Sequence, residues 1–227
     1  MPKRRVNGVR DERERLIVQT LLAVARPILL EVRDPDCCIA STQLARDVLG
    51  RFGIASKPLT VRVHVYNPMM TALAAARGGF PENDDVTMWR AWGRQGGFTI
   101  TMGTGRNDIP TNPVWPWHLV AIATLSRTPH LIDLSLDQLN RSDHDLAFAP
   151  LCERATPEFL AARQPLPVVQ RGQMIVYEAF PDVTTYTTAT EWAPNPRRTH
   201  EVELLVALIR QQLAESKKVP SVDRIGV

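Results

Sequence analysis

Three side chains in this sequence have the chemical types needed for catalysis by a thiol: Cys38, His118 and Asp133. A thiolate can attack an acyl carbon, and a histidine can take the thiol proton and later return it to the leaving group. A carboxylate bonded to the second ring nitrogen fixes the tautomer and the orientation of that histidine. The three residues follow one another in the order thiol, imidazole, carboxylate. This set predicts acyl transfer through a thioester.

The element that must position the thiol is a helix, predicted from Cys37 to Phe52. Asp36 is its expected N-cap, and Gly53 is expected to end it. One face carries small and apolar residues at helical spacing: Cys38, Ser41, Thr42, Ala45, Leu49 and Phe52. Cys38 therefore falls in the first turn, where free backbone N–H groups and the helix dipole favour a thiolate. We interpret the neighbouring Cys37 as a packing residue.

The elements that must position the other two side chains are strands. HLVAIATL (118–125) and HLIDLSL (130–136) have the spacing of a hairpin, and LTVRVHVY (59–66) alternates apolar and polar residues. The segments 98–102, 173–180 and 184–190 are further strand candidates. Together these patterns predict an antiparallel sheet beside the thiol-bearing helix.

The acidic partner of His118 has two candidates. Asp133 stands between Ile132 and Leu134, where a carboxylate without a partner is costly. Asp137 lies four residues further along and returns to the same face of a strand. Pairing His118 with Asp133 centres the hairpin between residues 125 and 126, whereas pairing with Asp137 centres it between 127 and 128. The loop residues SRTP fit the second centre better, whereas a staggered pair or a bulge would allow the first, so the hairpin spacing leaves both aspartates open.

Helices are expected near both ends of the chain. Apolar spacing indicates one over residues 11–26, which Pro27 should end or kink, and another over residues 200–218. The basic segment 1–10 and the tail 219–227 are expected to be flexible. A length of 227 residues fits one domain, which we assign to residues 11–218.

The composition excludes several classes of protein. With 44% hydrophobic residues, 22% charged residues and a net charge of +3, the chain is typical of a globular protein, and its small basic excess predicts no nucleic-acid partner. We expect no membrane span and no secretory leader, and hence a cytoplasmic protein. Three cysteines do not suggest a disulfide framework. Neither a metal nor another cofactor is predicted, because no ligand spacing or phosphate loop is present.

The residues around the thiol and the hairpin resemble the transglutaminase-like branch of the papain-like cysteine enzymes, which is related to the arylamine N-acetyltransferases. In that family the nucleophile begins a helix that closes with a Gly-Ile pair before the first strand. Here Gly53-Ile54 follows Cys38 by fifteen residues, which selects Cys38 over Cys37. The family's histidine and aspartate lie on adjacent antiparallel strands at about the separation of His118 and Asp133, and on this spacing we favour Asp133 over Asp137. The similarity covers about residues 34 to 137.

The resemblance implies an α+β fold in which the nucleophile-bearing helix packs on an antiparallel sheet, a papain-like core with flanking helices. It implies Cys38 as the nucleophile, His118 as the base and Asp133 as the orienting acid. The chain departs from the family pattern at Ile39, where an aromatic residue often follows the nucleophile. It departs again at Leu134, where the family commonly has a proline after the aspartate.

The resemblance also implies a cleft near several tryptophans. Trp92, Trp115 and Trp117 are candidates for the wall of a substrate groove, and equally for the core. The expected activity is hydrolysis of a peptide, a protein isopeptide or a small amide through a thioester. Acyl transfer to an amine is the alternative reaction, and a non-catalytic interaction module that retains the fold is the alternative outside enzymology.

Overall fold

The computed structural model describes residues 11–31, 37–82, 85–103, 117–189 and 192–216. Its helices are α1 (Glu12–Leu30), α2 (Cys38–Arg51), α3 (Pro68–Arg77), α4 (Val86–Arg94), α5 (Pro157–Leu160) and α6 (Pro196–Ser216). Its strands are β1 (Ser56–Tyr66), β2 (Thr99–Met102), β3 (His118–Leu125), β4 (Thr128–Asp133), β5 (Leu151–Arg154), β6 (Leu166–Gln170) and β7 (Gln173–Ala179). Short 3-10 turns occur at Leu136–Leu139, Ser142–His144 and Thr185–Thr188. The predicted flexible ends, 1–10 and 219–227, lie outside the described residues.

All described strands belong to one antiparallel sheet in the order β5-β4-β3-β1-β7-β6, with β2 also paired to β1. The first half of β1 pairs with β3, and its last residue in that ladder, Val61, lies opposite His118. The second half of β1 pairs with β2, from Val63 opposite Met102 onwards. β1 therefore changes its partner from β3 to β2 next to His118, and the start of β3 lies at this break in the sheet.

Both faces of β3 are buried, which explains its nearly continuous apolar sequence. Ala121, Ala123 and Leu125 pack in a cluster with α1, α2 and α6, whereas Val120 and Ile122 pack in a cluster on the other face. Burying each large apolar side chain contributes roughly 1.5 to 3 kcal/mol to the free energy of folding. The prediction of an α+β fold with helices on an antiparallel sheet is confirmed.

Several element boundaries differ from the predictions. α1 does not end at Pro27 but continues to Leu30, because Leu29 is fully buried and the helix keeps its contact with the core. The predicted strand 184–190 does not form over residues 184–189, which contain a 3-10 turn from Thr185 to Thr188 that buries Tyr186. The second hairpin strand ends at Asp133 rather than at residue 136.

The N-cap of α2 also differs, since Cys37 rather than Asp36 occupies that position. Asp36 itself lies outside the described residues. Of the helices that the structure describes, none has the length and apolar character needed to cross a membrane.

Candidate active site

Cys38 is the first residue of α2 and is only 7% exposed. The first turns of α1 and α3 are capped by the side chains of Asp11 and Asn67, which accept hydrogen bonds from backbone N–H groups. Cys37, which precedes α2, makes no such side-chain bond. The N–H groups at the start of α2 therefore receive no acceptor from their N-cap side chain. They are suited to stabilise negative charge on the sulfur of Cys38 or on a substrate oxygen.

The hairpin that carries the other two residues has a two-residue turn, Ser126-Arg127. Leu125 pairs with Thr128, so the hairpin is centred between Ser126 and Arg127 and matches neither of the two predicted centres. Both turn residues have positive φ angles, 50° and 65°, as in the type I′ turns that suit the twist of a hairpin. This register puts Asp133 diagonally across from His118 on the same face of the sheet.

The diagonal geometry brings the imidazole and the carboxylate into direct contact. His118 Nε2 lies 2.8 Å from Asp133 Oδ2, and neither side chain is exposed to solvent. Asp133 accepts two more hydrogen bonds, from the backbone N–H of Ser135 at 3.0 Å and from the hydroxyl of Tyr177 at 3.1 Å. Burial raises the pKa of Asp133, but the attraction and hydrogen bond of His118, together with these two donors, lower it overall. The carboxylate is therefore held in its charged form.

His118 is equally held in its charged form. Burial alone would lower the pKa of His118, but the charge and hydrogen bond of Asp133, with a smaller contribution from Cys38, raise it to about 10. Its second ring nitrogen, Nδ1, is buried and makes no hydrogen bond of good geometry within the described residues. The thiol of Cys38 is close enough to affect the pKa of the ring. Nδ1 is therefore the atom available to exchange a proton with Cys38 or with a substrate.

Asp137, the alternative partner of His118, lies elsewhere. After Asp133 the chain leaves the strand and enters the 3-10 turn Leu136–Leu139, so the alternation that would have returned Asp137 to the face of Asp133 ends. The carboxylate of Asp137 instead pairs with the guanidinium of Arg26, with an Nε–Oδ1 distance of 2.8 Å. The structure thus brings Asp133, and not Asp137, to His118.

Cys37 has a polar environment of its own. Arg26 Nη1 donates a hydrogen bond to Cys37 Sγ at 2.9 Å, and the hydroxyl of Ser41 lies 3.6 Å from the same sulfur. Burial lowers the pKa of Arg26, but Asp137 and Cys37 raise it overall. Cys37 is therefore more than the packing residue that we expected. Arg26 and Tyr177 both contribute to the site region, and neither was identified from the sequence.

The tryptophan candidates fall in different places. The carbonyl oxygen of Trp117 lies 3.9 Å from Cys38 Sγ, and Trp117 packs against the apolar cluster that contains Cys38. Trp92 is buried in a separate cluster with Met70 and Ala74, between α3 and α4, and is not brought to Cys38. Trp115 lies outside the described residues.

Comparison with known proteins gives no relative from which a function could be transferred. No protein-family model matches the chain, and neither a curated protein nor a solved structure matches it. In the part of the chain that the structure describes, no group of three or more His, Cys, Asp or Glu side chains could hold a metal ion. The function has to be inferred from the geometry of the site itself.

Proposed function

We propose that this protein is a cysteine hydrolase of amide substrates, in which Cys38 is the nucleophile, His118 the general base and acid, and Asp133 the orienting carboxylate. One observation carries the proposal: the buried ring of His118 is bonded through Nε2 to Asp133, while Nδ1 has no hydrogen-bond partner among the described residues and the thiol of Cys38 is its neighbour. A buried histidine that leaves one nitrogen unpaired is costly for stability alone. A role in proton transfer gives that nitrogen a use.

The reaction would proceed in two steps. The Cys38 thiolate adds to the carbonyl carbon of a peptide, isopeptide or side-chain amide, and the oxyanion accepts hydrogen bonds from N–H groups at the start of α2. The imidazolium of His118 gives its Nδ1 proton to the departing amine, and a thioester remains. His118 then takes a proton from water, whose hydroxide attacks the thioester and releases the carboxylic acid, which regenerates the Cys38 thiolate and the imidazolium of His118. Asp133 keeps the ring oriented throughout.

A transglutaminase-like core is part of this proposal. It is supported by a nucleophile at the start of a helix that packs on the sheet, and by a histidine and an aspartate on adjacent antiparallel strands. The three free cysteines suit a reducing compartment, which supports a cytoplasmic location.

Acyl transfer to an amine is the second candidate reaction. It is favoured by the burial of the site, because His118 is fully buried and Cys38 is 7% exposed. A thioester shielded from water persists longer, which gives an amine more time to attack it. The two reactions are separated by adding a primary alkylamine to the enzyme with an amide substrate: an amide product indicates transfer, and a free acid indicates hydrolysis.

The proposal is tested first without a substrate, by alkylation with iodoacetamide from acid to alkaline pH, resolved by mass spectrometry at each cysteine. Cys38 should be alkylated rapidly below pH 7, and His118→Ala should lower its rate by about a hundredfold. Cys152 is the internal reference, because burial and the charge of Glu153 raise its pKa far above the usual range. It should remain unreactive in both proteins.

The opposite result would point to the non-catalytic interaction module. Such a module has no need for a reactive thiol, so Cys38 would react slowly and with the same rate in the parent and in His118→Ala. Circular dichroism of both proteins establishes that the substitution has not unfolded the chain, so that slow alkylation is a property of the site.

A further inference from the structure

A surface cavity of about 380 Å³ opens on the side of the sheet where β7 ends. Its walls are residues 162–165, which precede β6, and residues 178–183, which include the end of β7 and the loop after it. The volume lies within the range of about 300 to 1,000 Å³ that is usual for small-molecule sites. None of these residues was identified from the sequence as a candidate for the site.

The cavity is joined to Cys38 by two aromatic rings and one aliphatic side chain. Phe180, in the cavity wall, has its ring centroid 4.7 Å from that of Trp117. The carbonyl oxygen of Trp117 is the group 3.9 Å from Cys38 Sγ. Val183, also in the wall, packs against the apolar cluster that contains Cys38. A substrate held in the cavity could therefore extend along Trp117 to the thiol.

The lining of the cavity is mainly apolar. Its apolar side chains are Ala162, Pro165, Ala179, Phe180, Pro181 and Val183. Glu178 contributes a carboxylate that is already paired with Arg62 at 3.0 Å and lies 3.5 Å from His64. Arg163 and Asp182 bring exposed charges of opposite sign. The cavity thus has no excess of either charge, and its chemistry suits an uncharged apolar group.

The wall is held in place by hydrogen bonds to β1. Phe180 N–H donates to the carbonyl of Thr60 at 2.9 Å, and the Thr60 hydroxyl donates to the carbonyl of Val183 at 2.6 Å. The guanidinium of Arg62 lies over the ring of Phe180, 5.3 Å from its centroid. These contacts form the cavity before any ligand binds, which lowers the entropy that binding would cost.

We propose that this cavity binds an apolar or aromatic side chain of the substrate, next to the amide that Cys38 attacks. The inference rests on the proposed function, and it narrows the substrates to amides that carry such a group close to the bond that is broken. Substrates with a charged group at the same position should be discriminated against, because the apolar lining offers no partner for the charge.

The test compares three alkylating probes on Cys38: iodoacetamide, N-phenethyl-iodoacetamide and N-carboxymethyl-iodoacetamide. Rates are divided by those of glutathione, which removes the intrinsic reactivity of each probe. The phenethyl probe should react about tenfold faster than iodoacetamide and should show saturation, and the carboxymethyl probe should show no advantage. Equal corrected rates for the phenethyl probe and iodoacetamide in the parent protein would overturn the proposal.

Two variants locate the recognition. Pro165→Trp fills the cavity and should abolish the advantage of the phenethyl probe over iodoacetamide. Val169→Trp adds the same side chain on β6 at a position that is 59% exposed and does not line the cavity, and it should keep the parental ratio. If the advantage persists in Pro165→Trp, the apolar group is recognised elsewhere and the proposal is wrong.

A second measurement separates this inference from the proposed function. In Cys38→Ser, ligand-observed NMR should detect binding of N-acetyl-phenylalanine amide and not of N-acetyl-aspartate amide, and Pro165→Trp added to Cys38→Ser should abolish it. Absence of binding to Cys38→Ser overturns the cavity proposal even if His118 controls the alkylation of Cys38. If the ligand binds but His118→Ala has no effect on the alkylation of Cys38, the proposed hydrolase function is contradicted and the cavity proposal stands.

Discussion

Cys37 and Cys38 are adjacent in the sequence and equally buried, at 7% exposure each, but their thiols lie in different surroundings. Cys38 is the neighbour of His118, which is bonded to Asp133. Cys37 accepts a hydrogen bond from Arg26, which is paired with Asp137. The molecule thus contains two triads of side chains in the same order: a carboxylate, a cationic side chain and a thiol.

The two triads differ in their cationic side chain, which is Arg26 beside Cys37 and His118 beside Cys38. An arginine remains protonated, so Arg26 can stabilise negative charge on Cys37 but cannot take a proton from it or return one to a leaving group. An imidazole can do both, and a pKa of about 10 means that His118 holds the proton that a leaving amine requires. In the proposed mechanism a charged neighbour is therefore insufficient, and Cys38 is the one of these two thiols whose neighbour can both take and return a proton.

The largest effect is expected from substitution of Asp133, with Asp137 as its control. Asp133→Asn should lower the alkylation rate of Cys38 near pH 7 by about a hundredfold, because the ring of His118 loses its charge partner and its orientation. Asp137→Asn, the matched control four residues away, should leave that rate within about twofold. The rate constants come from mass spectrometry at Cys38. Equal losses of the alkylation rate in the two variants would show that the triads of Cys37 and Cys38 do not differ in this respect.

Arg26→Gln should lower stability rather than the reactivity of Cys38. It leaves the carboxylate of Asp137 without its partner, at a cost of about 2 to 3 kcal/mol in the free energy of unfolding; this is below the usual loss for a buried pair because Asp137 is 20% exposed. Urea unfolding measures the change. Arg15→Gln, at the exposed pair with Glu12, is the control and should cost less than about 1 kcal/mol. A comparable loss in both variants would show that the Arg26 pair is no stronger than a surface pair.

Alkaline pH should destabilise the protein through His118. Its pKa is about 10 in the folded state and near 6.5 in the unfolded chain, so its stabilisation is complete below pH 6.5 and is lost as the pH rises towards 10. The expected slope is at most about 1.4 kcal/mol per pH unit. Urea unfolding across this interval should give a smaller slope for Asp133→Asn and the parental slope for Asp137→Asn. An unchanged slope in Asp133→Asn would mean that the carboxylate does not hold the charge on His118.

Tyr177→Phe should have the smallest effect. It removes the hydroxyl that donates to Asp133 at 3.1 Å, at a cost of about 1 kcal/mol in unfolding free energy, and it should lower alkylation of Cys38 only a few-fold. The other two partners of Asp133, His118 and Ser135, remain. Tyr66→Phe, on β1, is the control and should not change the alkylation rate. A hundredfold loss in Tyr177→Phe would make the hydroxyl as important as the imidazole.

The sequence was sufficient where the signals are local. The presence of α2, though not its N-cap, follows from the spacing of small and apolar residues after Cys38, and β3 follows from eight apolar or β-forming residues that begin at His118. The direct contact of His118 with Asp133 agrees with the predicted partner. Periodicity reports which residues face a core, and these elements are defined by that property.

The sequence was insufficient where partners are distant or turns lack their usual residues. Tyr177 is 44 residues from Asp133, and Arg26 is 111 residues from Asp137, so no local pattern connects them. Ser126 and Arg127 adopt positive φ angles without the glycine or asparagine that normally marks such a turn. The backbone N–H of Asp11 donates to the hydroxyl of Ser126 at 2.9 Å, and this contact from the N-cap of α1 supports the turn from outside the hairpin.

The two-residue turn has a consequence for how the gene can change. It stands at the far end of β3 from His118, roughly 25 Å away at 3.3 Å per residue. One inserted residue would be accommodated as a three-residue loop, and every pair along the ladder would survive. One deleted residue would leave a single residue between Leu125 and Thr128, so this pair would open into a three-residue loop, and the pairs from Thr124 opposite Pro129 onwards would keep their register. Lineages of this protein should therefore tolerate one codon gained or lost at residues 126–127 more readily than one within β3 or β4, where a slip by one residue would put His118 and Asp133 on opposite faces of the sheet.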